Sequence, residues 1–181
     1  ITSNSWSKSA SEFISSLSVD ASNILSSKLS EDEKIIRLKE IGEKSVDIKG
    51  VGLYTLGKYR KTLTDSQKKQ YEELFKNYFL KSFSGRLVSY TDAKIAVLSE
   101  EIKNEKYTIV YSKLIGTTDR PEVKIDWRVY TKDPENPLIR DLVIEGLSLA
   151  RTQKEEFNSI IINNDNSIEA LFQNLNKFLD N

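Results

Sequence analysis

The chain has 181 residues, with 27 Lys and Arg balancing 27 Asp and Glu, and it contains no Cys, His or Met. Thiol nucleophiles, redox pairs, thiolate zinc centres and imidazole-dependent catalysis are therefore excluded. The balanced charge supplies no positive field of the kind that neutralises nucleic-acid phosphates. A chain of this length predicts one domain, residues 1–181, able to bury a core without disulfide or metal staples. No apolar run approaches the roughly 20 residues that span a bilayer. The start at Ile1 and the lack of Met lead to the expectation of a processed chain, with a removed export signal as one route.

Residues 1–9 are Ser-rich and without periodicity, and are expected to be a flexible N-terminal segment. Ala10, Phe13, Ile14, Leu17, Ala21, Ile24 and Leu25 then recur at steps of three and four, which predicts an amphipathic helix. Ser30 with Glu33 forms a capping-box pattern for a second helix, whose apolar side is Ile35, Leu38 and Ile41. Asp47 can cap a short third helix through Val51, Tyr54 and Leu56, closed by Gly57. Thr64 with Gln67 opens a fourth, and Tyr71, Leu74, Phe75, Tyr78, Phe79 and Phe83 share one stripe of it up to Gly85.

From about Tyr90 the period changes to two. Ile95 with Val97, then 107–115, 123–131 and 138–145, predict four successive strands. The turns between them hold all three prolines, Pro121, Pro134 and Pro137. Short connections favour an antiparallel meander. In the third strand the odd positions 123 to 129 are apolar and the even ones charged, so one face meets an interior. In the second strand Ile109 and Val110 compete for the inward position. Gly146 closes the last strand, Ser148 starts a helix through Phe157 and Ile161, and Asn163 to Asn166 break it before a last helix from Ile168 to Phe178. Helices, then a sheet, then helices predict an α+β fold.

Catalytic chemistry finds little support in these residues. Asp126, Asp141 and Glu145 are the acids of the sheet region, and a carboxylate desolvated inside an apolar cone could act as a base. Asp126, however, alternates with Ile125 and Trp127 and so points away from their face. Glu145 beside Gly146 suits the turn. Gly50-Val51-Gly52 lacks the third glycine and the preceding strand of a dinucleotide fingerprint. The sheet and the aromatic helix could enclose either a packed core or a lined cavity.

The segment Leu138-Ile139-Arg140-Asp141-Leu142-Val143-Ile144-Glu145-Gly146-Leu147-Ser148-Leu149 resembles a recurrent stretch of the MlaC, or toluene-tolerance, family of exported phospholipid carriers. Glu156-Phe157-Asn158-Ser159-Ile160 is similar to that family's following helix end. Val46-Asp47-Ile48 with Leu56-Gly57, Thr64-Asp65-Ser66-Gln67 with Tyr71 and Phe75, and Val123-Lys124-Ile125-Asp126-Trp127-Arg128 resemble further family patterns in the same order. The resemblance runs from about Phe13 to Phe178. Departures stand at Arg60, Arg140, Pro137 and Thr152-Gln153-Lys154.

The resemblance implies an antiparallel four-stranded curved sheet packed against N- and C-terminal helices, with an apolar pocket between them. It implies a periplasmic carrier that shuttles phospholipid between an outer-membrane lipoprotein–porin complex and an inner-membrane ABC transporter with an MCE-domain subunit. No cofactor, metal or catalytic step is implied, and no nucleic-acid partner. The expected lining is Tyr71, Leu74, Phe75, Tyr78 and Phe79 from the aromatic helix. From the sheet it is Val97, Ile109, Tyr111, Ile125, Trp127, Val129, Leu142 and Ile144. Two other readings stay open: a small enzyme using Asp126 or Asp141 as base, and an interaction module with a solid core.

Overall fold

Hydroxyl and carboxylate side chains that accept from otherwise open amides set where the helices begin in the computed structural model, which describes residues 9–181. The flexible segment expected over residues 1–9 lies, except for Ser9, outside the described residues. Ser9 itself accepts from the Glu12 amide and caps α1 (Ala10–Leu25). Ser30 and Glu33 complete a reciprocal capping box for α2 (Glu31–Ser45). Asp47 caps α3 (Ile48–Leu56), which runs on into a 3₁₀ turn, Gly57–Lys61. Thr64 and Gln67 form a second capping box at α4 (Asp65–Leu87). Ser148 and Ser167 cap α5 (Leu149–Ile162) and α6 (Ile168–Asp180). Each such cap contributes about 1 kcal/mol. The helix expected to stop at Gly85 continues to Leu87, because a glycine there weakens the helix without obstructing it.

The strands are β1 (Ile95–Ile102), β2 (Tyr107–Leu114), β3 (Val123–Tyr130), β4 (Leu138–Ile144) and a short β5 (Leu147–Ser148). They pair antiparallel in chain order, β1-β2-β3-β4-β5. Four strands were expected. The fifth follows from a two-residue turn at Glu145 and Gly146, with φ of 50° and 82°, which folds the chain back onto β4. Irregularities between Val97 and Ser99 and between Arg128 and Val129 bend the sheet.

Buried apolar residues form two clusters with no member in common. The first joins α3, the 3₁₀ turn, α4, α5 and α6. Its centre is aromatic: Tyr71 stacks on Phe172 at 6.1 Å, and Phe75 meets Phe157 edge-on at 6.3 Å. In the second, Ala10 and Ile14 of α1 cover Val110, Val129 and Ile139 of the sheet.

Strand β4 is the joint between them. Val46 bridges to Ile139, the Asp47 amide donates to the Ile139 carbonyl at 3.0 Å, and Arg140 Nε donates to Asp47 Oδ2 at 2.8 Å. At the next residue of the strand, the Asp141 carboxylate accepts from the Ala150 amide at 3.0 Å and from the Ser148 hydroxyl, fastening the start of α5. On the other side, Gly42 lets α2 sit close to α4. A Cβ there would lie 3.1 Å from Leu80 Cδ2 and 3.3 Å from Phe83 Cε1.

Candidate functional site

Helix α1 has more apolar positions than its seat on the sheet uses. Ala10 and Ile14 are buried against β2, β3 and β4, whereas Phe13, Leu17 and Ile24 stay half-buried. These three share a face with Ser16 and Asp20 at helical spacing. Helix α2 turns back against α1 and presents Arg37, Glu40, Ile41 and Lys44, again one face at steps of three and four. Between the two faces lies a cleft of about 350 Å³ whose inner end reaches the buried Ser45. That volume is at the lower end of the range for small-molecule sites, roughly 300–1,000 Å³.

The cleft has a simple chemical layout. Phe13, Leu17, Ile24 and Ile41 are half-buried and make an apolar floor. Phe13 and Leu17 also pack against the sheet cluster, so the floor borders the covered face of the sheet. Asp20, Arg37, Glu40 and Lys44 are exposed and make a rim of mixed charge. Within the described residues, none of these four side chains makes a hydrogen bond or ion pair.

The aromatic-helix residues expected to line a slot lie outside this cleft. Tyr71, Leu74 and Phe75 are buried inside the all-helical cluster, and Tyr78 and Phe79 are packed against it. Free space beside Tyr71, Phe75 and Gly52 is about 10 Å³, no more than one water-sized sphere. The phenols are satisfied by protein groups: Tyr71 Oη lies 2.7 Å from Thr55 Oγ1, and Tyr78 Oη donates to Gln153 Oε1 at 3.0 Å. Burial pushes both phenols up from their ordinary range, and the nearby Glu156 carboxylate adds to the effect on Tyr78.

The sheet residues divide by register. Val97 pairs with Ser112, Ser112 with Ile125, Val110 with Trp127, Thr108 with Val129, Trp127 with Leu142 and Ile125 with Ile144. Directly paired residues share a face, so Val97, Ile125, Trp127, Val129, Leu142 and Ile144 all lie on the side covered by α1. Val129 is fully buried and the other five are half-buried.

Ile109 and Tyr111 do not join them. Ile109 pairs with Arg128 and Tyr111 with Asp126, on the opposite face, where the Tyr111 hydroxyl donates to Glu101 Oε2 at 2.6 Å. The inward apolar residue of β2 is Val110, flanked on its face by the small buried Thr108 and Ser112.

The acids considered as bases lie away from the cleft. Asp126 shares a face with Tyr111 and Val143, 4.0 Å from Lys124 Nζ, and its buried Oδ1 has no hydrogen-bond partner. Asp141 is committed to the start of α5. Glu145 Oε1 accepts from the Lys124 amide at 2.6 Å, which ties the β4–β5 turn to β3.

Sequence reasoning missed the cleft residues themselves. The signal was present in the α1 stripe, where Phe13, Leu17 and Ile24 repeat beyond what one contact face needs, but a stripe looks the same whether its partner is solid or hollow.

Comparison with known proteins adds two findings. A family model described as MlaC protein matches residues 15–177. The fold is also similar to that of a phospholipid-binding protein from Ralstonia solanacearum, solved in complex with a phospholipid. That similarity has a TM-score of 0.79 at 18% identity, over 96% of this chain and 98% of the other.

Proposed function

The chain belongs to the MlaC family, and from that premise we propose that it is a phospholipid-binding carrier of the periplasm and not an enzyme. The observation that carries this reading is the family match across residues 15–177, which supports treating the chain as one functional domain. The cleft between α1 and α2 gives the lipid a place to enter. Its apolar floor suits hydrocarbon and its charged rim suits a hydrated headgroup.

Burying one acyl methylene contributes about 0.8 kcal/mol, so two tails hold a lipid in a bilayer by something on the order of 20 kcal/mol. A carrier lowers that barrier by offering hydrocarbon contacts of its own. A two-tailed lipid is larger than the ligands a 350 Å³ cleft ordinarily takes. Helix α1 therefore lifts from the sheet as tails enter, while α2 stays packed on α4. The seat of α1 on the sheet is light, since Ala10 and Ile14 are the buried residues it contributes there. The tails then reach Val97, Ile125, Trp127, Val129, Leu142 and Ile144, which become the inner wall. Tyr71, Leu74, Phe75, Tyr78 and Phe79 serve as the fixed backing behind α2 and α3. No metal or cofactor takes part.

The family relation supports two protein partners, an inner-membrane ABC transporter complex with an MCE-domain subunit and an outer-membrane lipoprotein–porin complex, with transfer between the two membranes. The test begins with the protein purified from cells. Native mass spectrometry and solvent extraction are expected to find about one phospholipid per chain, as a single-cleft carrier requires. A protein that is lipid-free as purified and also takes up no phospholipid from vesicles overturns the reading.

A further inference from the structure

We propose that the rim of the α1–α2 cleft selects zwitterionic phospholipids, whose headgroup joins a phosphate to an ammonium, over phospholipids whose headgroup carries the phosphate charge alone. The inference rests on the reading that this cleft admits phospholipid. It adds the class of headgroup that the rim favours.

The argument starts from the order of charges. Arg37 and Lys44 lie two helical turns apart on one face of α2, and Glu40 lies between them; Asp20 faces them from α1. The spacing would let Glu40 pair with Arg37 or with Lys44 along the helix. Neither pair is formed, and Asp20 has no partner either among the described residues. Four exposed charges of both signs, none of them in a hydrogen bond or ion pair among the described residues, therefore ring an apolar floor; Arg37 also acts at longer range on the Glu33 carboxylate of its own helix.

A guanidinium and an ammonium can hold a phosphodiester, the guanidinium through its planar fork of donors. The same two groups would hold the phosphate of any phospholipid, so they do not discriminate. Discrimination comes from Asp20 and Glu40. A headgroup ammonium gives both carboxylates a partner. A headgroup with an uncharged alcohol leaves them unpaired beside an added negative charge. The rim thus matches a headgroup that is itself a pair of opposite charges.

The experiment offers the full chain, stripped of lipid, vesicles of equal parts phosphatidylethanolamine and phosphatidylglycerol with identical acyl chains. Native mass spectrometry then reads the headgroups that are bound. The wild-type protein is expected to favour ethanolamine by about three- to five-fold, the size of one exposed ion contact, and to lose that preference at high salt. The D20N/E40Q variant is expected to bring the ratio to about one, since it removes the two carboxylates that the headgroup ammonium would partner. Both substituted positions are exposed, and comparing variant with wild type on the same vesicles cancels any difference in how readily the two lipids leave a bilayer. Equal uptake by wild type, or a ratio that the variant leaves unchanged, overturns the headgroup inference and leaves phospholipid binding standing. Uptake of neither lipid overturns the carrier reading and this inference with it.

Discussion

The helical layer around Phe75 and the α1–α2 hairpin above the sheet obey the same amphipathic pattern and end in opposite states. In the layer, α4 is met by α2, α3 and α6, and α5 closes on it through Phe157, so its rings have neighbours on every side. Tyr71, Phe157 and Phe172 are fully buried there, and the free space beside Tyr71 and Phe75 is about 10 Å³. In the hairpin, α1 rests on the sheet and α2 on α4, and the faces that the two helices turn toward each other meet less closely. Where large knobs would be needed to fill the gap, the chain places Ser16 and Ser45. Phe13, Leu17, Ile24 and Ile41 consequently stop half-buried around a cleft of about 350 Å³. A hollow is made by what the facing residues lack, while a dense run of aromatics marks a solid interior.

Truncation separates the two regions most strongly. Phe75→Ala removes a ring that is 3% exposed, and is expected to cost about 3–5 kcal/mol in denaturant unfolding. Leu17→Ala in the cleft is expected to cost about 1–2 kcal/mol, because a half-buried leucine has less transfer energy to lose. Equal costs at the two sites would erase the distinction between packed layer and open hairpin.

Adding atoms gives the next largest effect. A Cβ at position 52 would lie 2.7 Å from Phe75 Cδ1. Gly52→Ala is therefore expected to destabilise by about 1–3 kcal/mol through overpacking, despite the gain in helix propensity. Gly85 has nothing within 4 Å of the same position, so Gly85→Ala should stabilise by up to about 1 kcal/mol. Thermal unfolding of the two variants reads the contrast directly. In the cleft, larger side chains should fill space without strain. Leu17→Trp combined with Ile41→Trp is expected to lower phospholipid uptake about ten-fold, a difference of about 1.4 kcal/mol, with unfolding changed by less than about 1.5 kcal/mol. Undiminished uptake would move the lipid entrance away from this hairpin.

How much of this was legible in the sequence depends on the range of the interaction. The capping boxes Ser30–Glu33 and Thr64–Gln67 are complete within one helical turn, and both form as their spacing demands. The faces of β3 were fixed by the strict alternation from Val123 to Val129. Those of β2 were not, because its inward residues include Thr108 and Ser112 while Ile109 and Tyr111 point outward. Those hydroxyls find partners inside: Ser112 donates to the Ile125 carbonyl at 2.7 Å and accepts from Trp127 Nε1 at 2.8 Å. Such pairing across strands cannot be seen along one strand. The cleft was less legible still. Phe13, Leu17 and Ile41 read as ordinary stripe residues, and only the distance between two helices decides whether a stripe meets another or leaves room.

The smallest predicted effect bears on the same division through a single proton. Burial holds the Tyr71 phenol neutral far beyond its ordinary range. A hydrogen bond donated by Thr55 would ease its ionisation, but the one proton of the Thr55 hydroxyl goes to the Gly52 carbonyl at 2.6 Å. Tyr71 must therefore be the donor in their 2.7 Å contact, and ionising it would remove that bond as well. A phenol whose value is raised by folding contributes its stability fully below the unfolded value of about 10, and loses it as pH climbs from there toward the folded value. Tyr71→Phe is expected to cost about 1 kcal/mol at neutral pH, the net worth of one hydrogen bond. That deficit should shrink above about pH 10, where the wild type loses stability that the variant never had. Urea unfolding across the alkaline range measures it, and a deficit that stays constant with pH would contradict the sealed environment assigned to this ring. The same titration with lipid bound goes one step further. Were Tyr71 part of a lipid-lined wall, loading the protein would shift its ionisation; enclosed by Phe75 and Phe172, it should ionise at the same pH with the cleft empty or full.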